Sequence, residues 1–247
     1  RSPFRVSDDR IRRLESKLSE LEQLDEVKTQ FISLASHELR TPISVVLGIA
    51  ATLHLRGDEL TDEQLAELRR TLYEQSCGLS DLTEQLLDLS RLDAQAIAIS
   101  PQRFHARERI DEILARIAPE RRDDVELTVE PSLEVVTDPY AFERVVGNLL
   151  TNAFRYGAPP IEVRAEPNEV VDVTVQDHGP GVPDEFVPLI FERFSQADDR
   201  RSDRQGAGLG LAIAKSYAGA VGGDVRYEPA EPTGACFHFE LPRELAA

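Results

Sequence analysis

The 247-residue chain is 41% hydrophobic and 30% charged, a composition typical of a soluble globular protein and not of a disordered one. Its formal net charge of −17 argues against nucleic acids and anionic membranes as partners, because both bind positively charged surfaces. No stretch approaches the roughly 18 apolar residues of a membrane span, and a chain that begins at Arg1 and contains no Met is expected to be a fragment of a longer protein.

An apolar residue recurs every three or four positions from residue 7 to residue 35. The spacing is that of a heptad seam with one local phase slip, and it predicts a coiled-coil-like helix over residues 1–30. A lever that transmits twist and a plain dimerisation stalk are both compatible with this pattern.

Residues 31–44, FISLASHELRTPIS, place a histidine in an unusual helix. Glu38 follows His37 directly, and Thr41 lies one turn further along the same helical face. Pro42 removes a backbone donor and crowds the carbonyl of Glu38, at a cost of about 3 kcal/mol in a helix interior. A helix that keeps such a break beside an imidazole and a carboxylate favours a chemical role; the alternative is a kinked surface helix with an incidental histidine.

A second long helix is predicted to begin after Thr61. Thr61 and Gln64 form a capping-box pattern, and leucines then follow at alternating spacings of three and four up to Leu89, with Gln75 as a polar member of the stripe. One helical hairpin cannot bury two apolar stripes by itself, so pairing with a second copy in a four-helix bundle is expected. Residues 31–94 are therefore predicted to form a homodimeric helical domain.

Residues 95–101 are interpreted as a linker, with a first short strand as the alternative. Beyond them the pattern changes to alternating strands and shorter helices. The predicted strands are Val125–Val129, Ile161–Ala165, Val170–Gln176, Asp224–Tyr227 and Cys236–Leu241. The predicted helices are Ala106–Ile117, Asp138–Phe154 and Leu209–Val221. Asp138-Pro139 has the pattern of an N-cap followed by proline at the first helical position, and Gly222-Gly223 is expected to end the last helix. Residues 102–247 are thus expected to form an α/β sandwich, with helices on one face of a mixed, largely antiparallel sheet.

Cys77 and Cys236 are far apart and lack CxxC spacing, which indicates two reduced and mostly buried thiols. His54, His105 and His238 have no acidic or nucleophilic company, and we interpret them as surface or packing residues.

Two asparagines stand on one face of a predicted helix in NLLTNAFRYG, residues 148–157. Asn148 and Asn152 are four positions apart, although Asn is a poor helix former. A carboxamide oxygen suits a hard cation such as Mg²⁺. The pair therefore favours ligands over packing, with two helix-surface asparagines as the alternative.

Two glycine-rich turns follow. In DHGPG, residues 177–181, Asp177 ends a strand and can accept a hydrogen bond from an exocyclic amine, while the glycines allow a flat ligand to approach. A plain structural turn is the alternative. In GAGLGL, residues 206–211, backbone amides at a helix start can bind phosphate. This is not the Rossmann fingerprint, because no strand leads into it.

A charged stretch at residues 195–205 lies between FERF, residues 191–194, and the second glycine-rich turn. Phe191 and Phe194 can dock a mobile lid. Arginines of the stretch could approach phosphates: Arg200, Arg201 and Arg204. Neighbouring aspartates cancel their charge, so an ordinary solvated loop is an equal alternative.

HELRTP, NLLTNAFRYG, DHGPG, FERF and GAGLGL resemble, in order and separation, the H, N, G1, F and G2 boxes of sensor histidine kinases. The resemblance covers residues 25–242. It implies an antiparallel helical hairpin that forms a dimeric four-helix bundle, followed by a Bergerat-type α/β sandwich that binds ATP. It also implies a cytoplasmic location, and the chain would then be either a cytoplasmic protein or the cytoplasmic part of a membrane-anchored sensor.

The resemblance gives each matching residue a role. His37 would accept the γ-phosphoryl group of ATP, with Glu38 orienting the imidazole. Thr41 would position a water that dephosphorylates a response regulator. Asn152 would hold Mg²⁺, and Asp177 would read the adenine amine. The other residues implied in nucleotide binding are Asn148, Arg155, Tyr156, Gly179, Gly181, Phe191, Phe194, Gly206, Gly208, Leu209 and Gly210.

Two positions refine these expectations. Arg155 stands where the family commonly has Lys, which keeps the charge but replaces an ammonium by a forked guanidinium. Asn148 stands where related ATPases of the gyrase type place a water-activating Glu, and a carboxamide cannot take a proton from water. The expected function is thus autophosphorylation and transfer to the receiver domain of a response regulator; a hydrolytic ATPase and a regulator-binding scaffold are the alternatives.

Overall fold

The residues that the computed structural model describes are 35–93, 97–167, 170–196 and 208–242. They divide into two compact units, the first ending at Glu84 and the second beginning at Gln85. Several sequence predictions lie outside the described ranges: the helix over residues 1–30, the lid arginines Arg200, Arg201 and Arg204, and Gly206. Within those ranges, no helix combines the length and the apolar character needed to cross a membrane.

Two long helices dominate the first unit. The described part of α1 covers residues 35–56 and continues through Pro42 without interruption. A 3-10 turn at Gly57–Glu59 follows, and α2 then covers Asp62–Asp93. The predicted capping box is confirmed, because the Thr61 N–H donates to Gln64 Oε1 at 3.0 Å and the Gln64 N–H donates to Thr61 Oγ1 at 3.2 Å.

The apolar stripe of α2 is only partly covered in the single chain. Most of its members are half-buried, Gln75 among them, whereas Leu89 near the end of the helix is 2% exposed. Away from the stripe, Tyr73 is 71% exposed and Leu87 is 58% exposed. A half-buried leucine stripe fits the expectation that a second copy completes the bundle, which stays a prediction.

Among the described residues, the second unit contains the end of α2, two sheets and three further α-helices. The strands are β1 (Gln102–His105), β2 (Val125–Val129), β3 (Glu134–Thr137), β4 (Ile161–Pro167), β5 (Val170–Gln176), β6 (Asp224–Pro229) and β7 (Ala235–Pro242). The helices are α3 (Ala106–Ile117), α4 (Pro139–Tyr156) and α5 (Gly210–Ala220).

The larger sheet has the strand order β2-β4-β5-β7-β6. Strands β2 and β4 are parallel, and the other neighbours are antiparallel, so the predicted mixed, largely antiparallel sheet is confirmed. Neither β1 nor β3 is predicted from the sequence. Each has only four residues, and the two pair with each other in a separate sheet, so neither carries an alternating pattern long enough to recognise.

The core of this unit lies between the larger sheet and its helices. Along β7, Phe237 and Phe239 are buried while the intervening Cys236 and His238 are half-buried, as expected when one face of a strand is covered. The ring of Phe239 packs 6.0 Å from that of Phe142 in α4. Helix α4 is therefore held against the sheet along its apolar face.

The residues predicted to begin α4 and to end α5 act as expected. The Asp138 carboxylate caps α4 by accepting the Ala141 N–H at 2.8 Å, and Pro139 is the first helical residue. Beyond α5, Gly222 adopts a φ of +74°, which favours glycine, and the Gly223 N–H returns to the Ala218 carbonyl at 2.9 Å.

Predictions about three polar residues are wrong. His105 has an acidic neighbour, because its Nδ1 lies 3.8 Å from Glu108 Oε2. His238 does have acidic company, because its Nδ1 lies 2.9 Å from Asp172 Oδ2 and its Nε2 lies 3.5 Å from Cys236 Sγ. Asp172 is 66 positions away in sequence and is brought near only by the pairing of β5 with β7. Burial raises the pKa of the Cys236 thiol to about 11. Cys77, expected to be buried, is exposed.

Candidate functional site

The predicted asparagines lie on one face of α4, towards its C-terminal half. The side chain of Asn148 donates from Nδ2 to the Arg144 carbonyl oxygen at 2.6 Å, which orients the carboxamide. Its Oδ1 consequently faces the start of α5, only 2.8 Å from the point where a Cβ on Gly210 would stand. Any side chain at position 210 would collide with this oxygen. Asn152 follows one turn later and is half-buried.

The F motif contacts the described part of the G2 motif through the backbone. The Phe194 N–H donates to the Gly208 carbonyl oxygen at 2.8 Å. Gly208 has a φ of +64°, and a Cβ there would lie 2.7 Å from the Ser195 carbonyl oxygen, so both conformation and space require glycine. Leu209 is 1% exposed and anchors the entry to α5 in the core.

Asp177 ends β5 as a buried carboxylate that is 4% exposed. Its Oδ1 accepts the Gly179 N–H at 2.8 Å and the Ala235 N–H at 3.4 Å. Burial raises the pKa of Asp177 above its usual value, while these two backbone donors oppose the shift. Because both donors bond to Oδ1, the other oxygen can accept a donor from a ligand.

Glycines surround Asp177 so closely that no side chain would fit. A Cβ on Gly157 would lie 2.5 Å from the Asp177 Cβ, and a Cβ on Gly179 would lie 2.7 Å from the Gly157 Cα. A Cβ on Gly234 would lie 1.9 Å from the Asp177 carbonyl oxygen, and Gly181, with a φ of +74°, packs against Gly234. The end of α4, the G1 turn and the β6–β7 turn therefore converge on one carboxylate.

Sequence reasoning missed Gly234 and the packing role of Gly157. Gly157 directly follows the last residue of α4 and reads as an ordinary helix stop. Gly234 lies in the turn before β7 and belongs to none of the recognised motifs. Its φ of +125° lies in a region open to glycine, but a glycine in a strand-connecting turn is too common a signal to single it out.

Three further predicted residues lie around these elements. Arg155 is half-buried and Tyr156 is 45% exposed in the last turn of α4. The ring of Phe191 is half-buried, with Lys215 Nζ 5.0 Å from its centre. Lys215 in α5 donates to the Val225 carbonyl oxygen at 2.7 Å, which fixes the Phe191 segment beside α5.

The histidine motif belongs to the first unit. The side chain of His37 is 67% exposed, and its Nδ1 lies 3.4 Å from Glu38 Oε1, whose side chain is 18% exposed. This contact is long for a hydrogen bond. Thr41 is exposed on the same helix, one turn away. An exposed imidazole beside a largely covered carboxylate can be oriented by that carboxylate and still reach a second molecule.

The structure thus groups the predicted residues in two places. Asn148 meets Gly210, and Asp177 meets Gly179, within the second unit, whereas His37, Glu38 and Thr41 share α1. Across the described ranges, no three His, Cys, Asp or Glu side chains converge as a metal site. A cation near the asparagines would therefore be held by carboxamide oxygens together with oxygens of a bound ligand.

The fold and these two groups define a protein with a phosphoacceptor-type helical domain and a nucleotide-binding α/β sandwich. Residues 27–95 match the family model of the His Kinase A (phospho-acceptor) domain. Residues 137–245 match that of the histidine kinase-, DNA gyrase B- and HSP90-like ATPases. The chain belongs to the sensor histidine kinases of two-component signalling systems.

Similar proteins agree with this class. The chain is 29% identical over 245 residues to the signal transduction histidine-protein kinase AfsQ2 of Streptomyces coelicolor, covering 94% of this chain and 45% of AfsQ2. It is 33% identical over 238 residues to the histidine-protein kinase/phosphatase MprB of Mycolicibacterium smegmatis, covering 91% of this chain and 48% of MprB. The chain therefore spans about half the length of these curated relatives.

The fold has solved counterparts. The structure of the Acinetobacter baumannii histidine kinase AdeS superimposes with a TM-score of 0.63 and 25% identity. The match covers 84% of this chain and 98% of that chain. The combination of a helical region and an α/β domain is thus shared over nearly the whole of the AdeS chain in that structure.

Proposed function

We propose that this chain is the transmitter part of its sensor kinase and moves a phosphoryl group from ATP to His37 and then to an aspartate of a response regulator. The observation that supports this most directly is the combination of two sites in one chain. One is a glycine-walled carboxylate beside oriented asparagines, and the other is an exposed histidine with its own carboxylate. A plain ATPase needs only the first of these.

His37 is proposed to act as the nucleophile through Nε2. When Nδ1 carries the proton and faces Glu38, Nε2 keeps a free lone pair. In the transfer, the bond between Nε2 and the γ-phosphorus forms, the bond between that phosphorus and the bridging oxygen breaks, and ADP leaves. The positive charge that develops on the ring is stabilised by Glu38, which can take the Nδ1 proton.

The second unit is proposed to hold ATP by its two ends. Asp177 accepts the adenine amine within its glycine wall, and Asn148 faces the start of α5, where backbone amides can bind phosphate. Asn152 presents a carboxamide one turn beyond Asn148, a donor type that suits Mg²⁺. When bound, Mg²⁺ would neutralise part of the phosphate charge, which matters in a chain with a net charge of −17.

The phosphoacceptor assignment can be tested with labelled Mg-ATP. We expect the chain to acquire acid-labile, base-stable phosphate, because a phosphorus–nitrogen bond has that stability. His37→Gln should abolish the label, and His54→Gln, which changes an exposed histidine on the same helix, should keep it. Label that survives in His37→Gln, or none in the unchanged chain, would contradict the assignment. ADP release without label would favour the plain ATPase.

A second activity, dephosphorylation of the regulator, is supported by Thr41. Its exposed hydroxyl lies one turn from His37 on α1, where it can orient a water towards a docked aspartyl phosphate. The printed name of MprB joins kinase and phosphatase activity in a similar protein. We therefore propose that one face of α1 serves both reactions.

Thr41→Ala should remove regulator dephosphorylation and leave labelling of His37 intact. Thr52→Ala is a matched control, because that hydroxyl on the same helix already donates to the Gly48 carbonyl at 2.9 Å. The measurement is the decay of a phosphorylated receiver domain in the presence of each variant. Loss of both activities in Thr41→Ala, or of neither, would refute the role.

We also propose a homodimer, supported by the half-buried stripe of α2 and by exposed apolar side chains on α1. The latter are Ile43, Val45, Leu47 and Leu55, between 36% and 76% exposed. The dimer leaves part of this surface for the receiver domain. Light scattering on the isolated chain should give twice the monomer mass of 27.6 kDa; a monomer at micromolar concentration would contradict the bundle.

A further inference from the structure

A buried carboxylate joins the last turns of α2 to both α4 and α5. Asp88 has no exposed surface. Its Oδ1 accepts hydrogen bonds from the hydroxyls of Tyr217 at 2.7 Å and Tyr140 at 3.0 Å. Its Oδ2 faces the guanidinium of Arg144 as an ion pair, and the Arg144 side chain is itself only 12% exposed. All of these residues belong to the second unit.

Aromatic contacts complete this cluster, which we call the Asp88 joint: Asp88, Arg91, Tyr140, Arg144 and Tyr217. The two tyrosine rings meet edge to face, with centres 5.8 Å apart. The Arg91 side chain donates to the Tyr140 hydroxyl at 3.2 Å. Burial, reinforced by the hydrogen bond to Asp88, raises the pKa of Tyr217, so this phenol keeps its proton and remains a donor.

The Asp88 joint is one helical turn away from the proposed nucleotide site. The guanidinium of Arg144 contacts Asp88, while the carbonyl oxygen of the same residue holds the Asn148 carboxamide at 2.6 Å. Asn148 in turn faces Gly210 at the start of α5, and Tyr217 lies about two turns further along that helix. Both helices therefore touch the nucleotide site at one point and Asp88 at another.

The free energy of a buried ion pair is compatible with a cluster whose contacts can break and form again. Desolvation of Asp88 and Arg144 offsets most of their attraction, so the cluster fixes one geometry more than it adds stability. Removing a single partner is different, because the other charge stays buried without the opposite charge that it faces. The joint also has an exposed edge, since Tyr140 is 43% exposed and water can reach it there.

We propose that Asp88 is a positioning residue that fastens the end of α2 to α4 and α5 and couples this segment to occupancy of the nucleotide site. The inference rests on the nucleotide site proposed above. Such coupling is reciprocal. Nucleotide favours the state in which the contacts of Asp88 are formed, and that state binds nucleotide more tightly by the same factor. The stability of residues 85–93 of α2 thereby depends on whether nucleotide is bound, although these residues do not contact the nucleotide.

Amide hydrogen exchange of residues 85–93, measured on the whole chain with and without Mg-ADP, tests the proposal. Asp88→Asn keeps the shape and removes the charge, and Tyr217→Phe keeps the buried ring and removes one donor. Glu74→Gln is the control, because Glu74 lies on the same helix and forms only an exposed pair with Arg70. ADP affinity is measured by calorimetry on the same four proteins.

We expect Mg-ADP to slow exchange in residues 85–93 about fivefold or more in the unchanged chain and in Glu74→Gln. Asp88→Asn should speed exchange there about tenfold or more and remove the slowing of exchange by Mg-ADP. It should also weaken ADP binding by the same factor by which Mg-ADP slows exchange in the unchanged chain. Tyr217→Phe should shift each quantity in the same direction by less.

Two results would overturn the proposal. One is equal exchange and equal ADP affinity in Asp88→Asn and the unchanged chain. The other is faster exchange spread equally through β5 and β7, which would mean general destabilisation and no local joint. If the unchanged chain binds no ADP, the nucleotide site and the coupling both fail, yet the nucleotide-free comparison of Asp88→Asn with Glu74→Gln still decides whether Asp88 fastens the end of α2.

Discussion

Replacing Asp177 should separate adenine recognition from stability. Asp177→Ala removes the acceptor of the Gly179 N–H, which leaves a buried donor unpaired at a cost of about 1–3 kcal/mol. The same change removes a carboxylate whose pKa is raised by burial, so the loss of a buried charge works in the opposite direction. The free energy of unfolding should therefore change little compared with nucleotide affinity.

The expected loss of affinity follows from the proposed hydrogen bond between the adenine amine and Asp177. A hydrogen bond to a charged group contributes about 1.5–3 kcal/mol, which corresponds to roughly 10- to 150-fold weaker binding of ADP to Asp177→Ala. Asp177→Asn can keep one oxygen for the Gly179 and Ala235 N–H groups, but it then presents an NH2 donor to the adenine amine. Its ADP binding should therefore weaken by about as much as that of Asp177→Ala, roughly 10- to 150-fold.

Calorimetric titration with ADP and GDP makes this test specific. Guanine carries a carbonyl oxygen where adenine carries the amine, so the unchanged chain should prefer ADP and Asp177→Ala should lose that preference. Asp184→Asn, an exposed acidic residue in the loop that follows, is the matched control. An Asp177→Ala protein that unfolds cooperatively and still discriminates ADP from GDP would refute the role of this carboxylate.

Two further outcomes are expected. Because burial raises the pKa of Asp177 above its ordinary 3.8, its ionised form is lost at a higher pH than for an exposed aspartate. The ADP affinity of the unchanged chain, relative to Asp177→Asn, should therefore fall as the pH is lowered through that raised value, and a constant ratio down to pH 4 would contradict this reasoning. The stability contribution of the raised pKa has the opposite course: it is present at low pH and lost as the pH rises through the folded-state pKa. At the other unit, Thr61→Ala should lower the free energy of unfolding by about 0.5–2 kcal/mol, because the first turn of α2 loses its reciprocal cap. Thr83→Ala, an exposed threonine inside the same helix whose hydroxyl bonds only the Ser80 carbonyl, should change stability less, and equal losses in thermal unfolding at matched protein concentration would show that the cap is not the cause.

Much of the second unit was predictable because its signals are local. The bounds of α3 and β5 agree with the prediction residue for residue, since helix periodicity and strand alternation are written within a few consecutive positions. The Asp138 cap and the Thr61–Gln64 box depend on residues three positions apart, and both form as predicted. The short strands β1 and β3 were not predicted, because each is recognisable only from its hydrogen bonds to the other strand.

The candidate site, too, was only partly predictable from the sequence. Spacing alone places Asn148 and Asn152 on one face of a helix, and the order of the motifs predicts His37 and Asp177 as site residues. Spacing does not show that the Asn148 oxygen is turned towards Gly210 by a bond to the Arg144 carbonyl. Nor does it show that Gly234, 57 positions from Asp177, closes the wall around that carboxylate.

The sequence by itself determined the two types of domain through local periodicity and the class of protein through the order of its motifs, and it predicted which residues react. Only the tertiary structure decided which groups are desolvated and which face one another. Asp88 shows the difference most plainly: in sequence it is one more acidic residue on a long helix. Its burial against Tyr140, Arg144 and Tyr217 comes from residues 52 to 129 positions away, and contacts over such separations arise only when the helices pack.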